Sequence, residues 1–174
     1  VHANKLLHLD IKPANIYITM EGKPVLLEFG AARQALPSDA PRLRPMYTAG
    51  YAAPEQYHTL VQLGPWTDIY AVGATIYTCL TGVHPQPANE RVKDDQMIPA
   101  KELARQNYSA ELYEIVDWCL KLDHLGRPQT AFELQKALMR EIKEIPGEAE
   151  AVEDIVADDS LAGRLRKTLN RKIF

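Results

Sequence analysis

The side chains best suited to chemistry lie in residues 8–15, HLDIKPAN, with a further carboxylate at Glu28. Asp10, Lys12 and Asn15 are close in sequence, so one turn can bring a carboxylate, an ammonium group and an amide together. That set fits phosphoryl transfer, in which a carboxylate deprotonates a hydroxyl, an ammonium neutralises the phosphoryl group, and amide and carboxylate oxygens hold Mg²⁺. Taken alone, the same residues also fit a solvated turn, and both interpretations stay open at this point.

Motifs further along the chain separate the two interpretations. They are EFG at residues 28–30, TAGYAAPE at 48–55, DIYAVG at 68–73 and RP at 127–128. This ordered series resembles the catalytic lobe of eukaryotic-like protein kinases, over about residues 2–143. The runs PEQY at 54–57 and GPWTDIY at 64–70 are similar to the bacterial serine/threonine branch of that family.

The resemblance implies a role for each matching residue. Asp10 is the expected catalytic base, Lys12 contacts the transferred phosphate, and Thr48 helps to position the substrate hydroxyl. Asn15 and Glu28 are the expected Mg²⁺ ligands, and Lys12 joins them in the expected ATP site. Structural support is expected from six further residues: His8, Phe29, Gly30, Glu55, Asp68 and Arg127.

Two of these supporting residues have an expected partner. Glu55 is expected to pair with Arg127 beneath the loop at residues 30–54. Asp68 is expected to hold the catalytic turn, residues 8–15, through hydrogen bonds from the backbone of that turn. If the Glu55–Arg127 pair is buried, deleting one partner should cost about 3–5 kcal/mol, because the other charge is left without a counterion.

Two positions depart from the family pattern. Glu28 stands where the family has aspartate, and the extra methylene can move the carboxylate oxygens by about 1 Å, a misplacement that can cost about 10²-fold in rate. Leu9 stands where many kinases have an arginine that pairs with a phosphate on the activation loop. We therefore expect any activity to be independent of loop phosphorylation, and two interpretations of Glu28 remain: an adjusted site or damaged Mg²⁺ chemistry.

The nucleotide-binding half of a kinase has no counterpart in these 174 residues. The sequence contains neither a Gly-rich phosphate loop nor the strand lysine and partner glutamate that kinases place upstream. Residues 1–7, VHANKLL, predict the end of a helix whose beginning is missing, with uncovered apolar surface and a risk of self-association. The expectation is a C-terminal lobe that works with the N-lobe of a longer parent and is inactive alone.

The pattern of residues predicts an α+β fold that is mainly helical, with a small β-hairpin near the catalytic loop. Residues 16–19 and 25–27 form the hairpin around a turn at 21–22, and an irregular loop extends over 30–54. Helices are expected at 68–80, stopped by Gly82, at 109–122, and from a capping box at 130–133 onward. The domain is expected to occupy residues 1–145.

Residues 146–174 form an acidic linker followed by a basic tail, in which Leu161, Leu165 and Leu169 have helical spacing. One interpretation is an exposed helix on a flexible linker; the other is an amphipathic segment that docks on anionic lipid or on the parent protein. The net charge of -3 and the lack of a basic groove disfavour nucleic-acid binding. Two cysteines among apolar residues indicate a reducing compartment, the cytoplasm.

Two functions follow from the resemblance. The first is a serine/threonine protein kinase that uses ATP and Mg²⁺ to phosphorylate a protein substrate, with Asp10 as base. The second is a pseudokinase that serves as a binding scaffold, because Glu28 impairs its Mg²⁺ and ATP chemistry.

Overall fold

Four short strands form two small antiparallel sheets in the computed structural model, which describes residues 1–29, 33–34, 47–58, 61–103 and 108–143. Strands β2 (Ile16–Ile18) and β3 (Pro24–Leu26) pair with Tyr17 opposite Val25, so the predicted hairpin is confirmed. Strands β1 (Leu6–Leu7) and β4 (Arg33–Gln34) pair with Leu7 opposite Arg33. Short 3-10 helices lie at His2–Asn4, Pro13–Asn15, Pro54–Tyr57 and His124–Gly126.

The prediction of a helix end at residues 1–7 is wrong. A single 3-10 turn, His2–Asn4, ends at Lys5, whose φ of 55° is left-handed, and the chain then continues as β1. The physical reason is the distant partner: Leu6 and Leu7 pair with β4, and Leu7 is buried. The expected uncovered apolar surface of a truncated helix is therefore not found at Leu7.

Five α-helices lie in the described part of the chain: α1 (Pro65–Thr81), α2 (Ala88–Arg91), α3 (Ala100–Leu103), α4 (Ala110–Cys119) and α5 (Ala131–Lys143). The first is apolar nearly all round and buried over most of its length, as the sequence predicts. It ends at Gly82, whose φ of 73° is a left-handed conformation that suits glycine.

Side-chain caps fix the starts of α4 and α5. Ser109 Oγ accepts a hydrogen bond from Leu112 N at 3.1 Å, and Thr130 Oγ1 accepts one from Glu133 N at 3.1 Å. The Glu133 carboxylate returns to the backbone N–H of Gln129 at 2.8 Å, one residue before the position that a standard capping box uses.

The core lies where α1 packs against α3, α4 and α5. Gly73 of α1 sits directly on Cys119 of α4, where an added Cβ would lie 2.5 Å from the Cys119 Cβ, so glycine permits the close approach. Burial raises the pKa of the Cys119 thiol to about 12, as for an inert core residue. The mainly helical α+β fold is confirmed.

Three earlier predictions lie wholly or largely outside the described residues. Gly30 and most of the predicted loop at 30–54 are among them, as is the whole of residues 146–174. Within the described part of the chain, no helix has both the length and the apolarity needed to span a membrane.

Candidate active site

The catalytic turn, residues 8–15, contains one residue in an unusual backbone conformation. Leu9 has a φ of 66°, in the left-handed region that a bulky side chain rarely adopts, and it is buried. After Pro13 the chain forms a 3-10 turn, in which Asn15 N donates to Lys12 O at 2.9 Å. These two features fold residues 8–15 into a tight turn that directs several side chains to one place.

Four of the predicted site residues form one hydrogen-bonded group, which we call the Asp10 cluster: Asp10, Lys12, Asn15 and Thr48. The Thr48 hydroxyl donates to Asp10 Oδ1 at 2.7 Å, and Lys12 Nζ donates to Thr48 Oγ1 at 2.7 Å. Lys12 Nζ also lies 2.9 Å from Asp10 Oδ2. Asn15 Nδ2 donates to Asp10 Oδ2 at 3.1 Å and to Asp10 O at 2.8 Å. The structure therefore brings together residues from two distant segments.

The Asp10 carboxylate is held in its ionised form by this cluster. Partial burial acts to raise its pKa, but hydrogen bonds from Lys12, Thr48 and Asn15 together with the Lys12 charge lower the pKa below the ordinary value of 3.8. Asp10 is consequently a carboxylate, and a hydrogen-bond acceptor only, at neutral pH.

Asp68, near the start of α1, stabilises the catalytic turn through hydrogen bonds from the backbone of that turn. Its carboxylate is buried and accepts from His8 N at 2.9 Å and from Leu9 N at 2.8 Å. His2 Nε2 lies 2.8 Å from the same carboxylate. The N-terminal segment, the catalytic turn and α1 thus meet at one buried charge, as the sequence predicts for the catalytic turn and α1.

The His8 side chain links the turn to the end of the hairpin. Its Nδ1 accepts from Asp10 N at 3.3 Å, so its Nε2 carries the proton and donates to Leu27 O at 2.9 Å. The Phe29 ring meets the His8 ring edge-on, with centroids 4.9 Å apart. Both residues have the supporting position that was predicted for them.

The Glu55–Arg127 pair is fully buried and fully satisfied. Arg127 donates from its two terminal nitrogens to Glu55 Oε1 and Oε2 at 2.8 and 3.0 Å. Its remaining three N–H groups donate to the backbone carbonyls of Lys121, Trp66 and Leu122. All five guanidinium donors are therefore used, as a buried arginine requires.

Comparison with known proteins assigns this arrangement to a family. A model described as "Protein kinase domain" matches residues 1–139. The chain belongs to the protein kinase family. It is 32% identical to Mitogen-activated protein kinase kinase 3 of Arabidopsis thaliana, over 71% of this chain, and 30% identical to Serine/threonine-protein kinase PknB of Mycobacterium tuberculosis, over 87%. The resemblance to bacterial serine/threonine kinases, which the motifs predict, is confirmed.

A solved kinase-like structure, titled "PpkA-294 apo form", is 35% identical to this chain and superposes with a TM-score of 0.67 over 79% of it. The match covers 48% of that solved chain. The matches to the two curated relatives cover 24% and 25% of their lengths, so the chain spans about a quarter of each. The likeness to the catalytic lobe of kinases is confirmed at the level of the fold.

Glu28 follows the hairpin that contacts the Asp10 cluster of this kinase lobe. Leu27 N donates to Asn15 O at 2.8 Å, so the backbone just before Glu28 lies beside the cluster. Glu28 itself has a left-handed φ of 62° and an exposed side chain. Among the contacts between described residues, none involves its carboxylate, so direct hydrogen bonds join three of the four residues predicted to share the metal and nucleotide cleft: Asp10, Lys12 and Asn15.

Two contributors to the kinase site were missed by sequence reasoning. Gln56 is buried and donates from Nε2 to Leu9 O at 2.9 Å, although the sequence marks it only as part of the PEQY motif. His2 contacts Asp68 across 66 positions of sequence. No local pattern signals either contact, because each depends on how distant segments pack.

Proposed function

We propose that this chain is the catalytic lobe of a serine/threonine protein kinase, which transfers the γ-phosphate of ATP to a serine or threonine hydroxyl of a protein. The observation that supports the proposal is the Asp10 cluster, in which an ionised carboxylate, a cation and a hydroxyl meet within 2.7–2.9 Å. Substrate chemistry of this kind needs a hydroxyl and a base in hydrogen-bond contact.

Asp10 accepts the proton of the substrate hydroxyl as the new oxygen–phosphorus bond forms and the bond to the ADP oxygen breaks. Lys12 lies between Asp10 and Thr48, so its ammonium group is placed to stabilise negative charge on the moving phosphoryl group. Thr48 shows the geometry that a substrate hydroxyl needs, because its own hydroxyl donates to Asp10 Oδ1. Its place in the cluster supports a role in positioning the substrate beside the base.

Asn15 fits the role of Mg²⁺ ligand better than Glu28. Both hydrogen bonds from its side chain leave through Nδ2 to Asp10, which keeps the amide oxygen as the group able to bind a hard cation. Glu28 offers a carboxylate that is exposed beside the same hairpin. When bound, Mg²⁺ would neutralise charge on the phosphates, and these two residues would hold it.

The remaining half of the ATP site is proposed to come from an N-terminal lobe. The 174 residues contain no Gly-rich loop, and the curated relatives are about four times longer than the part they share with this chain. We therefore propose that the 174-residue chain alone transfers phosphate poorly or not at all, and that activity requires that lobe.

The test measures labelled phosphate incorporated from ATP into a protein substrate by the complete gene product, with whatever sequence precedes Val1. Asp10→Asn should lower kcat by about 10²–10⁴-fold, because general base catalysis contributes about that much. Asp123→Asn, at the start of a distant 3-10 turn, is a matched carboxylate control that should retain activity. Undiminished incorporation by Asp10→Asn would remove Asp10 from its proposed role.

A scaffold without phosphoryl transfer is the second candidate, and Glu28, which stands where the family has aspartate, favours it. In that case the complete wild-type gene product is silent. Glu28→Asp shortens the side chain by one methylene and supplies the family residue, so it should switch on incorporation. Active wild type with a weaker Glu28→Asp variant would instead indicate a site adjusted to glutamate.

A further inference from the structure

Gln56 connects two segments of the active site through a single buried amide. Its Oε1 accepts from Ala53 N at 3.0 Å, which satisfies the N–H group that precedes the 3-10 turn Pro54–Tyr57. Its Nε2 donates to Leu9 O at 2.9 Å, across 47 positions of sequence. Only 5% of Gln56 is exposed, so water cannot readily replace either bond.

The carbonyl that Gln56 binds belongs to the peptide that joins Leu9 to Asp10. The N–H of the same peptide donates to His8 Nδ1 at 3.3 Å, so both polar groups of this peptide are held by side chains. The preceding N–H, that of Leu9, donates to Asp68. A left-handed residue such as Leu9 persists only where its surroundings fix it, and these contacts do so.

We propose that Gln56 is a positioning residue for phosphoryl transfer: it fixes the Leu9–Asp10 peptide and thereby aims the Asp10 carboxylate at the acceptor hydroxyl. This inference rests on the proposed function. Gln56 lies in the same segment as Thr48, and the Thr48 hydroxyl donates directly to Asp10 Oδ1 at 2.7 Å. The segment is thus attached to the catalytic turn at two points, one through the reacting carboxylate and one through its backbone.

The consequence is a specific kinetic effect. Loss of the Gln56 bond frees the Leu9–Asp10 peptide to rotate, which moves the Asp10 carboxylate relative to the hydroxyl. A displacement of about 1 Å can cost about 10²-fold in a positioned reaction, so kcat should fall by about 10–100-fold. The fall in kcat should exceed any rise in the KM for ATP, because none of the described contacts of Gln56 involves Asn15 or Lys12 directly.

Two variants separate the amide's donor from its acceptor. Gln56→Glu keeps an oxygen for Ala53 N but replaces the donor to Leu9 O, and Gln56→Met removes both polar groups at similar length. The matched control is Gln129→Met, because Gln129 Nε2 also holds two backbone carbonyls, those of His124 and Arg127, at 2.8 Å each. If Gln56→Met does not fold, Gln56→Glu alone decides the question.

The first readout is kcat and KM for the complete gene product. The second is amide hydrogen exchange at Asp10 N, measured by NMR. A positioning role predicts that both Gln56 variants lower kcat and speed exchange at Asp10 N, because the Leu9–Asp10 peptide is then held only through its N–H group. Gln129→Met should lower thermal stability and leave both readouts at their wild-type values.

The two readouts distinguish failure of this inference from failure of the proposed function. An inactive wild type would reject the kinase proposal, and exchange at Asp10 N would then decide the role of Gln56 by itself. Gln56 variants with wild-type kcat, or with unchanged exchange at Asp10 N in an inactive protein, would overturn the inference. An effect on thermal stability alone would also overturn it, because a merely structural glutamine gives that result.

Discussion

Two groups of charged side chains in this kinase lobe are built from similar parts and differ in their access to water. In the Asp10 cluster, Asp10 and Lys12 are 18% and 23% exposed, so the group is partly open to solvent. In the Glu55–Arg127 pair the exposed fractions are 4% and 0%, and the arginine has no donor left. The difference fits the proposal that the first group does chemistry at a surface, whereas the second holds that surface in place.

The largest expected loss of stability follows removal of the buried cation, Arg127. Arg127→Met should lower the free energy of unfolding by about 3–5 kcal/mol, because Glu55 then remains as an uncompensated buried charge. Urea denaturation of the variant and the wild type measures the difference. The double variant Glu55→Gln/Arg127→Met should recover part of the loss, since it also removes the stranded carboxylate. A single variant as stable as wild type would mean that the pair is not a structural element.

A smaller loss of stability is expected at Asp68, whose carboxylate accepts hydrogen bonds from the backbone of the catalytic turn. Asp68→Asn leaves one carbonyl oxygen where the carboxylate accepts from both His8 N and Leu9 N, so one N–H group loses its partner. The expected cost is about 1–3 kcal/mol, with faster amide hydrogen exchange at His8 or Leu9.

Asp117 provides the matched control for this prediction. Its carboxylate accepts from one backbone group, Ala100 N at 2.9 Å, and an asparagine oxygen retains that bond. Asp117→Asn should therefore cost less than Asp68→Asn. Equal costs for the two variants would indicate that the double acceptance by Asp68 contributes little.

The helix cap at Ser109 stabilises the start of α4 through a hydrogen bond and not through an ion pair. Ser109→Ala removes the acceptor for Leu112 N at the start of α4, and the expected loss of unfolding free energy is about 1 kcal/mol. Ser109→Asp retains an acceptor and places negative charge at a helix N-terminus, so it should keep most of the stability. A full loss in Ser109→Asp would show that the cap is not the cause.

Local sequence patterns predicted the parts of the fold whose contacts are themselves local. The hairpin, the buried helix that ends at Gly82 and the cap at Thr130 all follow from neighbouring residues. The prediction for residues 1–7 is wrong because a short apolar run does not distinguish helix from strand. Its conformation depends on pairing with Arg33–Gln34, which lies outside any local window.

The same distinction applies to the active site. The grouping of Asp10, Lys12 and Asn15 could be predicted because a single turn positions all three, whereas their proposed roles and the partner Thr48 come from the kinase resemblance. The left-handed Leu9 and the bond from Gln56 could not, because a backbone angle held by a distant amide leaves no mark in spacing or periodicity. The exposure of Glu28 is likewise a property of the folded hairpin.

The smallest expected stability effect comes from removing the cation of the Asp10 cluster. Lys12→Met should cost at most about 1 kcal/mol, since the pair is partly open to solvent and such ion pairs contribute little, which contrasts with Arg127→Met. It should nevertheless raise the pKa of Asp10 toward 3.8, because the Lys12 hydrogen bond and charge are among the interactions that lower it. NMR titration of isotope-labelled aspartate measures this change.

The sign of the pH dependence follows from the lowered pKa of Asp10. Ionised Asp10 stabilises the fold above its unfolded value, and this contribution is lost as pH falls through the lower folded pKa. With the folded pKa raised by Lys12→Met, the two values lie closer together, so the acid-side loss of stability becomes shallower. A variant with an unchanged Asp10 pKa would show that Thr48 and Asn15 suffice to hold the carboxylate ionised. The contrast between an exposed reactive group and a buried supporting pair would then rest on burial alone, without a separate electrostatic role for Lys12.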